Sequence, residues 1–471
     1  MDKQFSLLID GQLVPGAATF DVINPATEAV LTQAPRADQA QLDAAVAAAK
    51  RAFPAWAARS QDDRAALIDQ LADAVMARIE EFAQLLTAEQ GKPLDQARNE
   101  IYGTVFVLKA FAGMRITDKV LREEGGNTVI EHRTPLGVCA AITPWNFPVV
   151  LLANKLGPCL LAGNTMVAKP APTTPLTTLL LGEVIASILP AGVVNIIADV
   201  NDLGAALSTH PDLAKVAFTG STVTGKKVMA SASGSVKRVT LELGGNDAAI
   251  VLDDMPAKLA AEKVYQGAMV NAGQVCVAIK RAYVHETVYD EFVEEIARLA
   301  KEAVVDEGTR QGVTIGPVQN KMQFEKVSAL LADARERGTV LAGGAPLDRP
   351  GYFIAPTIVA DLDDDAPLVR EEQFGPVLPV LKFSDVDDVI ARANDSDYGL
   401  GGTVWGKDVA RAMDVARRID TGTVWVNQHL AIDPTIPFRG VKQSGLGGEL
   451  GEAGLLEYTQ AHIINAVSLP A

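Results

Sequence analysis

The chain has 471 residues, of which 48% are hydrophobic and 21% are charged, and its 58 acidic and 42 basic side chains give a formal net charge of −16 at pH 7. This composition is typical of a globular protein of two or three domains, and it excludes a disordered or fibrous chain. The acidic excess, with no basic run longer than two residues, also argues against a nucleic-acid partner, because phosphate binding depends on clustered lysine and arginine.

Particular segments exclude further classes of protein. Residues 1–5 contain no basic region followed by a long apolar one, so we expect no secretory signal and a cytoplasmic location. The longest apolar stretch, residues 137–163, is interrupted by prolines and by Lys155, which excludes a membrane span and a membrane partner. Three cysteines without a CxxC pair and five histidines without an HExxH pattern predict neither a disulfide framework nor a metal site.

The N-terminal part of the chain is predicted to be helical between residues 38 and 115, where apolar residues recur every three or four positions. From about residue 136, short apolar runs alternate with helical segments. The predicted strands are Gly137–Ile142, Thr165–Ala168, Val193–Ile197, Lys215–Thr219 and Val236–Leu241, with predicted helices at residues 148–162, 174–189, 201–209 and 222–232. This alternation predicts a parallel sheet that is covered on both faces.

The alternation starts again after Gly244 and Gly245. The predicted strands are Ala248–Leu252, Arg281–His285, Val377–Leu381, Gly402–Trp405 and Thr423–Val426, with predicted helices at residues 256–271, 287–304, 320–337, 385–394 and 408–419. The fold class is therefore α/β, with two doubly wound units that meet near residue 245. A crevice between two such units is where a ligand is expected to bind.

Cys276 is the cysteine whose neighbouring residues indicate a possible reactive thiol. It follows a loop in which Gly273 allows a backbone approach that a Cβ atom would block, so the thiol can be presented to a ligand. The loop by itself leaves a reactive thiol and a packed one equally open. Cys139 and Cys159 lie in apolar runs, and we expect both to be buried as small hydrophobic side chains.

Two other side chains could take part in a reaction. Glu242 ends an apolar strand at the end that faces the crevice in a doubly wound fold, which suits a general base. A solvated glutamate at a strand end is the alternative. Asn146 lies in a turn stiffened by two prolines, so its amide is a candidate oxyanion donor. From the residues alone, capping of the following helix is the favoured reading of Asn146.

The segment from Gly220 to Lys227 nearly matches the phosphate-binding pattern GxxxxGK[ST]. Lys227 occupies the position of the hydroxyl residue that binds Mg²⁺, so a nucleoside triphosphatase is disfavoured. A turn rich in glycine and hydroxyl residues between a strand and a helix still offers free N–H groups to a phosphate. A pyrophosphate without a metal ion fits this segment best.

Seven segments, taken together and in this order, resemble the motifs of the aldehyde dehydrogenase superfamily. The resemblance runs from about Asn24 to Tyr458, and seven motifs in the right order are far more specific than any one of them. The segments are Pro144–Pro148, Phe218–Ser221, Leu241–Gly245, Gly273–Cys276, Glu371–Val377, Gly422–Asn427 and the pair Pro437-Phe438.

This resemblance implies a Rossmann-like cofactor-binding domain, a catalytic domain and a small bridging β-sheet that joins subunits. The cofactor-binding domain is expected at residues 1–117 and 136–244, the catalytic domain at residues 245–445, and the bridging segments at residues 118–135 and 446–471. A homodimer or homotetramer is expected, because the C-terminal strand at His462–Val467 would otherwise leave an open sheet edge.

The resemblance also implies roles for individual residues. Cys276 is the expected nucleophile, Glu242 the general base, and Asn146 the oxyanion donor together with the backbone N–H of Cys276. The cofactor, NAD or NADP, is expected to contact Trp145, Lys169, Gly220, Ser221, Glu372 and Phe374. The expected substrate pocket is apolar and consists of Phe147, Val275, Val277, Ile432 and Phe438.

Three positions depart from the family's pattern. Pro172 stands where NAD-preferring members often have a glutamate, and loss of that carboxylate removes repulsion toward a 2′-phosphate, which leaves the coenzyme preference open. Arg439 stands where glycine is common, and both a role at the pocket mouth and a surface role are open. Asn154 stands where succinate-semialdehyde enzymes of the family tend to have an arginine, which counts against a dicarboxylic semialdehyde.

The sequence therefore predicts an NAD(P)-dependent aldehyde dehydrogenase that forms a free carboxylic acid through a cysteine thiohemiacetal and a thioester. Its partner is a small-molecule aldehyde of unpredicted identity. A coenzyme-A-acylating enzyme is the nearest alternative, although Glu242 favours hydrolysis. A non-catalytic nucleotide-binding protein on the same fold is a second alternative. A cysteine hydrolase is the weakest, since it would need a histidine base near Cys276.

Overall fold

Two large sheets, each covered by helices, organise the fold. The computed structural model describes residues 3–469. The terminal residues 1, 2, 470 and 471, which belong to the predicted N-terminal and bridging segments, lie outside the described residues. None of the described helices is long and apolar enough to cross a lipid bilayer.

The first half of the chain begins with two hairpins, continues with four helices and then alternates strands with helices. In chain order the elements are β1 (Leu7–Ile9), β2 (Gln12–Val14), β3 (Ala18–Ile23), β4 (Val30–Arg36), α1 (Gln39–Ala57), α2 (Gln61–Ala77), α3 (Ile79–Gln90), α4 (Leu94–Gly113), β5 (Lys119–Glu124), β6 (Asn127–Pro135), β7 (Val138–Ile142), α5 (Pro148–Leu161), β8 (Thr165–Lys169), α6 (Leu176–Ile188), β9 (Val194–Ile196), α7 (Gly204–Thr209), β10 (Leu213–Thr219), α8 (Thr222–Ser233) and β11 (Arg238–Glu242). Each strand and helix predicted in this half is present, with bounds that differ by a few residues. The sequence pattern did not predict β1 to β4.

The second half repeats the alternation and ends in a long strand. Its elements are β12 (Asp247–Val251), α9 (Ala257–Met269), a 3₁₀ turn (Val270–Gly273), β13 (Ile279–His285), α10 (Glu286–Glu302), α11 (Lys321–Arg337), β14 (Thr339–Ala342), β15 (Thr357–Ala360), α12 (Pro367–Arg370), β16 (Val377–Phe383), α13 (Val386–Asn394), β17 (Tyr398–Gly399), β18 (Gly401–Trp405), α14 (Val409–Ala416), β19 (Thr423–Val426), β20 (Val441–Lys442), β21 (Gly445–Leu446), α15 (Gly451–Leu456) and β22 (Thr459–Val467). The five strands and five helices predicted here are all present.

The first sheet has its strands in the order β2-β1-β9-β8-β7-β10-β11-β21. The five strands from β9 to β11 in that order are parallel, whereas β1, β2 and β21 pair antiparallel at the edges. From β7 the chain continues to β8 on one side and later to β10 on the other, so the winding reverses beside β7. Ligands of doubly wound sheets bind at the carboxyl ends of the strands at such a reversal.

The second sheet has the order β14-β15-β16-β13-β12-β18-β19 and is parallel except for β14. Every residue of β12, and likewise of β7 and β8 in the first sheet, is buried. Strands that are buried on both faces are predominantly apolar, which explains the apolar runs in these segments. The buried polar residues among them are Thr165 and Lys169 in β8 and Asp247 in β12. Cys139 and Cys159 are buried in the core of the first unit, as predicted.

A separate three-stranded sheet has the order β22-β6-β5. β22 pairs antiparallel with β6 along its whole length, from Thr459 opposite Pro135 to Val467 opposite Asn127. The predicted bridging sheet is therefore present, with strands from both predicted segments. The domain boundaries, and the joining of subunits by this sheet, stay predictions.

Candidate active site

The carboxyl ends of four neighbouring parallel strands bring the predicted residues to one edge of the first sheet. Asn146 follows β7, Lys169 ends β8, Ser221 follows β10 and Glu242 ends β11. These strands are adjacent in the sheet although their ends are far apart in the chain. The edge coincides with the reversal of winding beside β7, where the fold is expected to bind a ligand.

A cavity of about 1040 Å³ lies at this edge. Its volume is at the upper end of the range of about 300–1,000 Å³ that is typical of small-molecule sites, which suits a ligand as large as a dinucleotide. All six residues predicted to contact the cofactor line it, together with Asn146 and Cys276: they are Trp145, Lys169, Gly220, Ser221, Glu372 and Phe374. The structure thus brings these residues together, while their individual roles stay predictions.

The glycine and hydroxyl-rich turn leads directly into a helix. Ser221 is the N-cap of α8, and its side chain accepts a hydrogen bond from the backbone N–H of Thr224 at 3.3 Å. The first N–H groups of a helix lack intrahelical partners and carry the positive end of the helix dipole. Since Ser221 and Thr224 both line the cavity, this helix end fits the predicted pyrophosphate.

Lys169 forms a buried ion pair that the sequence analysis missed. Its Nζ lies 2.5 Å from Oδ1 of Asp199, and the other carboxylate oxygen of Asp199 accepts from the backbone N–H of Leu203. Asp199 therefore neutralises the lysine at the cavity wall, beside Pro172. Its position shortly after β9, at the same edge of the sheet, is the signal that could have identified it.

The loop before Cys276 has an unusual backbone. Asn271 and Ala272 both have left-handed conformations, with φ of 51° and 53°, which non-glycine residues rarely adopt. A Cβ atom at Gly273 would overlap the carbonyl oxygen of Gly375, which confirms the close backbone approach predicted there. This tight turn follows α9 and changes the direction of the chain. The partly exposed Cys276, which comes after the turn, lines the cavity.

The side chain of Asn146 is held in place by this loop. Its Nδ2 donates to the carbonyl oxygen of Gln274 at 2.9 Å, and its backbone carbonyl accepts from Lys92 Nζ at 2.9 Å and from Asn271 Nδ2 at 3.1 Å. An amide nitrogen carries two hydrogens, so one remains for another acceptor. The helix-cap reading was wrong: Phe147 is the N-cap of α5, and it makes no side-chain cap hydrogen bond.

A second buried lysine, also missed, lies behind Cys276. Lys280 Nζ donates to the backbone carbonyls of Val275 at 2.9 Å and Cys276 at 2.6 Å, and it lies 3.6 Å from Oε1 of Glu372. Burial raises the pKa of the Cys276 thiol to about 12, and the charge of Lys280 opposes that increase. The thiol therefore needs electrostatic help to ionise near neutral pH.

Glu242 is buried at the end of β11. Its residue is only 5% exposed, so the alternative of a solvated strand-end glutamate was wrong. Among the described residues, neither of its carboxylate oxygens has a hydrogen-bond partner. Burial, and then the negative charge of Glu449, hold the pKa of Glu242 well above its usual range, while Lys155 and Arg439 lower it. Exposed Arg439 thus influences the predicted base through its charge.

A buried chain of polar groups lies next to Glu242. Lys155 Nζ is 2.6 Å from Glu449 Oε1 and 2.6 Å from Thr219 Oγ1, and both charged side chains are almost fully buried. Neither Lys155 nor Glu449 was among the predicted site residues. Lys155 is the only charged residue of the apolar helix α5, and that isolation is the signal that could have found it.

The predicted substrate residues surround Cys276 on its apolar side. Phe147, Val275, Val277 and Phe438 pack with Cys276 into one cluster. Ile432 lies outside this cluster and is 47% exposed. The structure therefore brings together four of the five predicted residues.

Residues 13–464 match the sequence model of the Aldehyde dehydrogenase family. The chain belongs to this family. As an aldehyde dehydrogenase family member, it is 41% identical over 455 residues to human Retinaldehyde dehydrogenase 3, with 94% of this chain and 89% of the relative covered.

Solved structures of similar proteins share the whole fold. An aldehyde dehydrogenase from Bacillus cereus in an NAD⁺ complex is 38% identical, with a TM-score of 0.97 and coverage of 99% of this chain and 97% of the other. An E. coli NADP dependent enzyme is 36% identical, with a TM-score of 0.96 and coverage of 99% and 98%. The resemblance and the predicted α/β fold with two doubly wound units and a bridging sheet are thus confirmed, and the protein is an oxidoreductase of the aldehyde dehydrogenase type.

Proposed function

We propose that the protein oxidises an aldehyde to the free carboxylic acid, with Cys276 as the nucleophile and NAD or NADP as the oxidant. One observation carries this proposal. The loop of Cys276 is tied to the amide of Asn146 by the hydrogen bond to Gln274, beside a cavity large enough for a dinucleotide. A nucleophile, an oxyanion donor and a cofactor space therefore meet at one place.

The first step requires the thiolate of Cys276 to attack the carbonyl carbon. A carbon–sulfur bond forms while the electron pair of the carbonyl double bond moves to its oxygen, which gives a thiohemiacetal anion. The free amide hydrogen of Asn146 and the backbone N–H of Cys276 would stabilise that oxygen. A single donor in such an oxyanion hole typically contributes about 2.7–4 kcal/mol.

The cofactor would be held by residues that line the cavity. Lys169 is suited to the adenosine ribose, Ser221 and Gly220 with Trp145 to the pyrophosphate, and Glu372 with Phe374 to the nicotinamide end. When bound, the nicotinamide supplies the oxidant by accepting a hydride from the tetrahedral carbon. Phe374 contacts Trp145 edge to face at a centroid distance of 5.3 Å, which fixes both aromatic rings at the cavity wall.

The thioester left on Cys276 must then be hydrolysed. Glu242 is suited to accept a proton from the attacking water, which makes the water a better nucleophile. Because burial raises the pKa of Glu242 and so favours its protonated form, Glu242 must be ionised before it can accept that proton. Lys155 and Glu449 are the nearby groups that influence this ionisation, because their charges shift the pKa of Glu242 in opposite directions.

The proposal is tested with a panel of aldehydes and with NAD and NADP in parallel, monitored at the absorbance of the reduced nicotinamide. We expect acid to form without coenzyme A. Oxidation that strictly required coenzyme A, and that gave an acyl-coenzyme A thioester in place of the free acid, would favour the acylating alternative. Cys276→Ala should abolish oxidation and leave cofactor affinity nearly intact, and a wild-type protein that binds the cofactor but oxidises no aldehyde would favour the non-catalytic alternative.

We also propose that the β22-β6-β5 sheet joins subunits into a homodimer or homotetramer. β22 is an edge strand of this sheet, and its exposed apolar side chains include Ile463, Ile464 and Val467. An open edge with apolar side chains is suited to pairing with another chain. Light scattering after size-exclusion chromatography tests this, and a wild-type monomer at micromolar concentration would contradict it.

A further inference from the structure

The charges of one buried cation and of three carboxylates act on the pKa of the Cys276 thiol. Lys280 lies on β13, Asp247 on β12, Glu242 at the end of β11, and Glu372 in the segment after α12. The charge of Lys280 favours the thiolate of Cys276, whereas the three carboxylates disfavour it. Because the loop is buried, water screens these charges poorly.

Lys280 contacts the loop of the nucleophile directly. Its ammonium group donates to the backbone carbonyls of Val275 and Cys276, at 2.9 and 2.6 Å, and its side chain is only 1% exposed. Its third neighbour is the carboxylate of Glu372, at 3.6 Å. The ammonium thus connects the two residues of the loop to the wall of the cavity, where Glu372 lies.

We infer that Lys280 is a positioning residue that anchors the Cys276 loop and stabilises the Cys276 thiolate through its charge. This inference rests on the proposed function, in which Cys276 is the nucleophile.

The position of Lys280 allows its positive charge to stabilise the Cys276 thiolate, which a neutral side chain could not do. A buried lysine is costly unless its ammonium is hydrogen-bonded and paired. Here the ammonium group donates two hydrogen bonds to backbone carbonyls of the Cys276 loop. An uncharged donor could anchor the loop in the same way, and its burial would cost less desolvation free energy. What the charge adds is attraction for the negative sulfur, against the repulsion of Asp247, Glu242 and Glu372.

Asp247 allows an independent test, because its charge has the opposite effect to that of Lys280 on the pKa of the Cys276 thiol. It is buried, its Oδ1 accepts from the backbone N–H of Gly401 at 3.1 Å, and its Oδ2 has no partner within residues 3–469. Burial raises the pKa of Asp247 to about 7, so it is mostly ionised above that pH. Asp247→Asn keeps the shape and removes a charge that disfavours the thiolate.

The experiment measures alkylation of Cys276 by iodoacetamide between about pH 7 and about pH 10, without aldehyde or nicotinamide. The thiolate sulfur forms a bond to carbon while the carbon–iodine bond breaks and iodide leaves, so the rate reports the thiolate. Peptide mass spectrometry separates Cys276 from the buried cysteines, and Cys276→Ala is the blank. Lys280→Met removes the donor and the charge, whereas Lys280→Gln removes the charge and keeps an N–H donor on a slightly shorter side chain.

We expect the alkylation rate of both Lys280 variants to be lower than that of wild type by a factor of at least about three at each pH. Losing a nearby cation raises a thiol pKa by about one unit, which lowers the thiolate fraction about tenfold, and the greater nucleophilicity of the remaining thiolate recovers part of that loss. Asp247→Asn should be alkylated faster than wild type. Lys215→Met is the matched control, because Lys215 is equally buried but bonds to Thr240 in the first sheet, and its rate should equal that of wild type.

The outcomes separate the inference from the proposed function. A folded Lys280→Gln variant with the wild-type alkylation rate would overturn the electrostatic role, and so would an equal decrease in Lys215→Met. If Lys280→Met does not fold, the alkylation rates of Lys280→Gln and Asp247→Asn still test the inference. Alkylation of Cys276 at the wild-type rate in both variants would overturn it. Aldehyde oxidation by Cys276→Ala would instead overturn the proposed function, whatever the alkylation rates.

Discussion

The side-chain amide of Asn146 donates a hydrogen bond of 2.9 Å to the backbone carbonyl of Gln274, two residues before Cys276. This bond joins the turn that follows β7 in the first sheet to the loop that precedes β13 in the second. Because Gln274 is also held by Nε2 donation to Asn271 at 2.8 Å, the loop has little freedom to shift relative to the amide. The predicted oxyanion donor and nucleophile are therefore fixed relative to each other.

Replacement of Asn146 should slow the oxidation step. We expect Asn146→Ala to reduce the single-turnover rate of nicotinamide reduction by roughly 10²- to 10³-fold, since one oxyanion donor is lost. Asn146→Asp is the matched variant, because it keeps the size but replaces the N–H donor with an acceptor that faces the Gln274 carbonyl. Stopped-flow absorbance measures the rate. A wild-type rate in Asn146→Ala, with its fold intact, would remove Asn146 from this role.

Replacement of Glu242 should separate oxidation from hydrolysis. In Glu242→Gln we expect a rapid burst of reduced nicotinamide, one equivalent per site, followed by turnover that is slower by roughly 10²- to 10⁴-fold, because the thioester forms but water is not activated. In the wild type, the hydrolysis rate should increase with pH, because the raised pKa keeps Glu242 protonated at lower pH. This increase should be absent from Glu242→Gln, and a steady-state rate equal to wild type would contradict the assignment.

Replacement of Lys155 should affect both stability and hydrolysis. Lys155→Met leaves the carboxylate of Glu449 buried without its cation, which we expect to cost about 3–5 kcal/mol in the free energy of unfolding. The double variant Lys155→Met/Glu449→Gln should recover most of that loss, because no unpaired charge remains. Denaturant unfolding measures both variants, and equal losses in the two would show that the ion pair is not the cause.

The same substitution has a kinetic consequence. Since the charge of Lys155 lowers the pKa of Glu242, its removal should move the rise of the hydrolysis rate to higher pH. The profile is measured from steady-state turnover after the burst. A profile at the wild-type position in a folded Lys155→Met variant would exclude this electrostatic link.

Replacement of Asp199 should change the coenzyme preference. Asp199→Asn frees the charge of Lys169, which then attracts a 2′-phosphate, so the ratio of the dissociation constants for NADP and NAD should fall by about tenfold. Asp202→Asn is the matched control, because Asp202 pairs with Arg36 at the surface. Isothermal titration calorimetry measures both ratios. An unchanged ratio in Asp199→Asn would show that the ion pair does not set the preference.

Local sequence patterns predicted most strands and helices of the two alternating α/β units, together with the strand ends that carry the predicted site. Hydrophobic periodicity is a local property, so the alternation of strands and helices, and the placing of Glu242 at the end of a strand, could be predicted from neighbouring residues. The motif around Cys276 likewise required a backbone approach at Gly273 that the structure contains. The edge strands β1, β2 and β21 escaped prediction because they are only two or three residues long, too short for a periodic signal.

The contacts of the buried charges, by contrast, depend on the folding of the whole chain. Lys155 pairs with Glu449, 294 positions away in the chain, and Lys169 pairs with Asp199, which follows the neighbouring strand β9. Lys280 donates a hydrogen bond to the backbone carbonyl of Cys276. The isolation of Lys155 in an apolar helix indicates that its charge is buried, but no local pattern identifies its partner, because only the folded chain brings Glu449 close to it. Local sequence patterns therefore predicted the candidate reacting groups, whereas tertiary packing determines the electrostatic field around them.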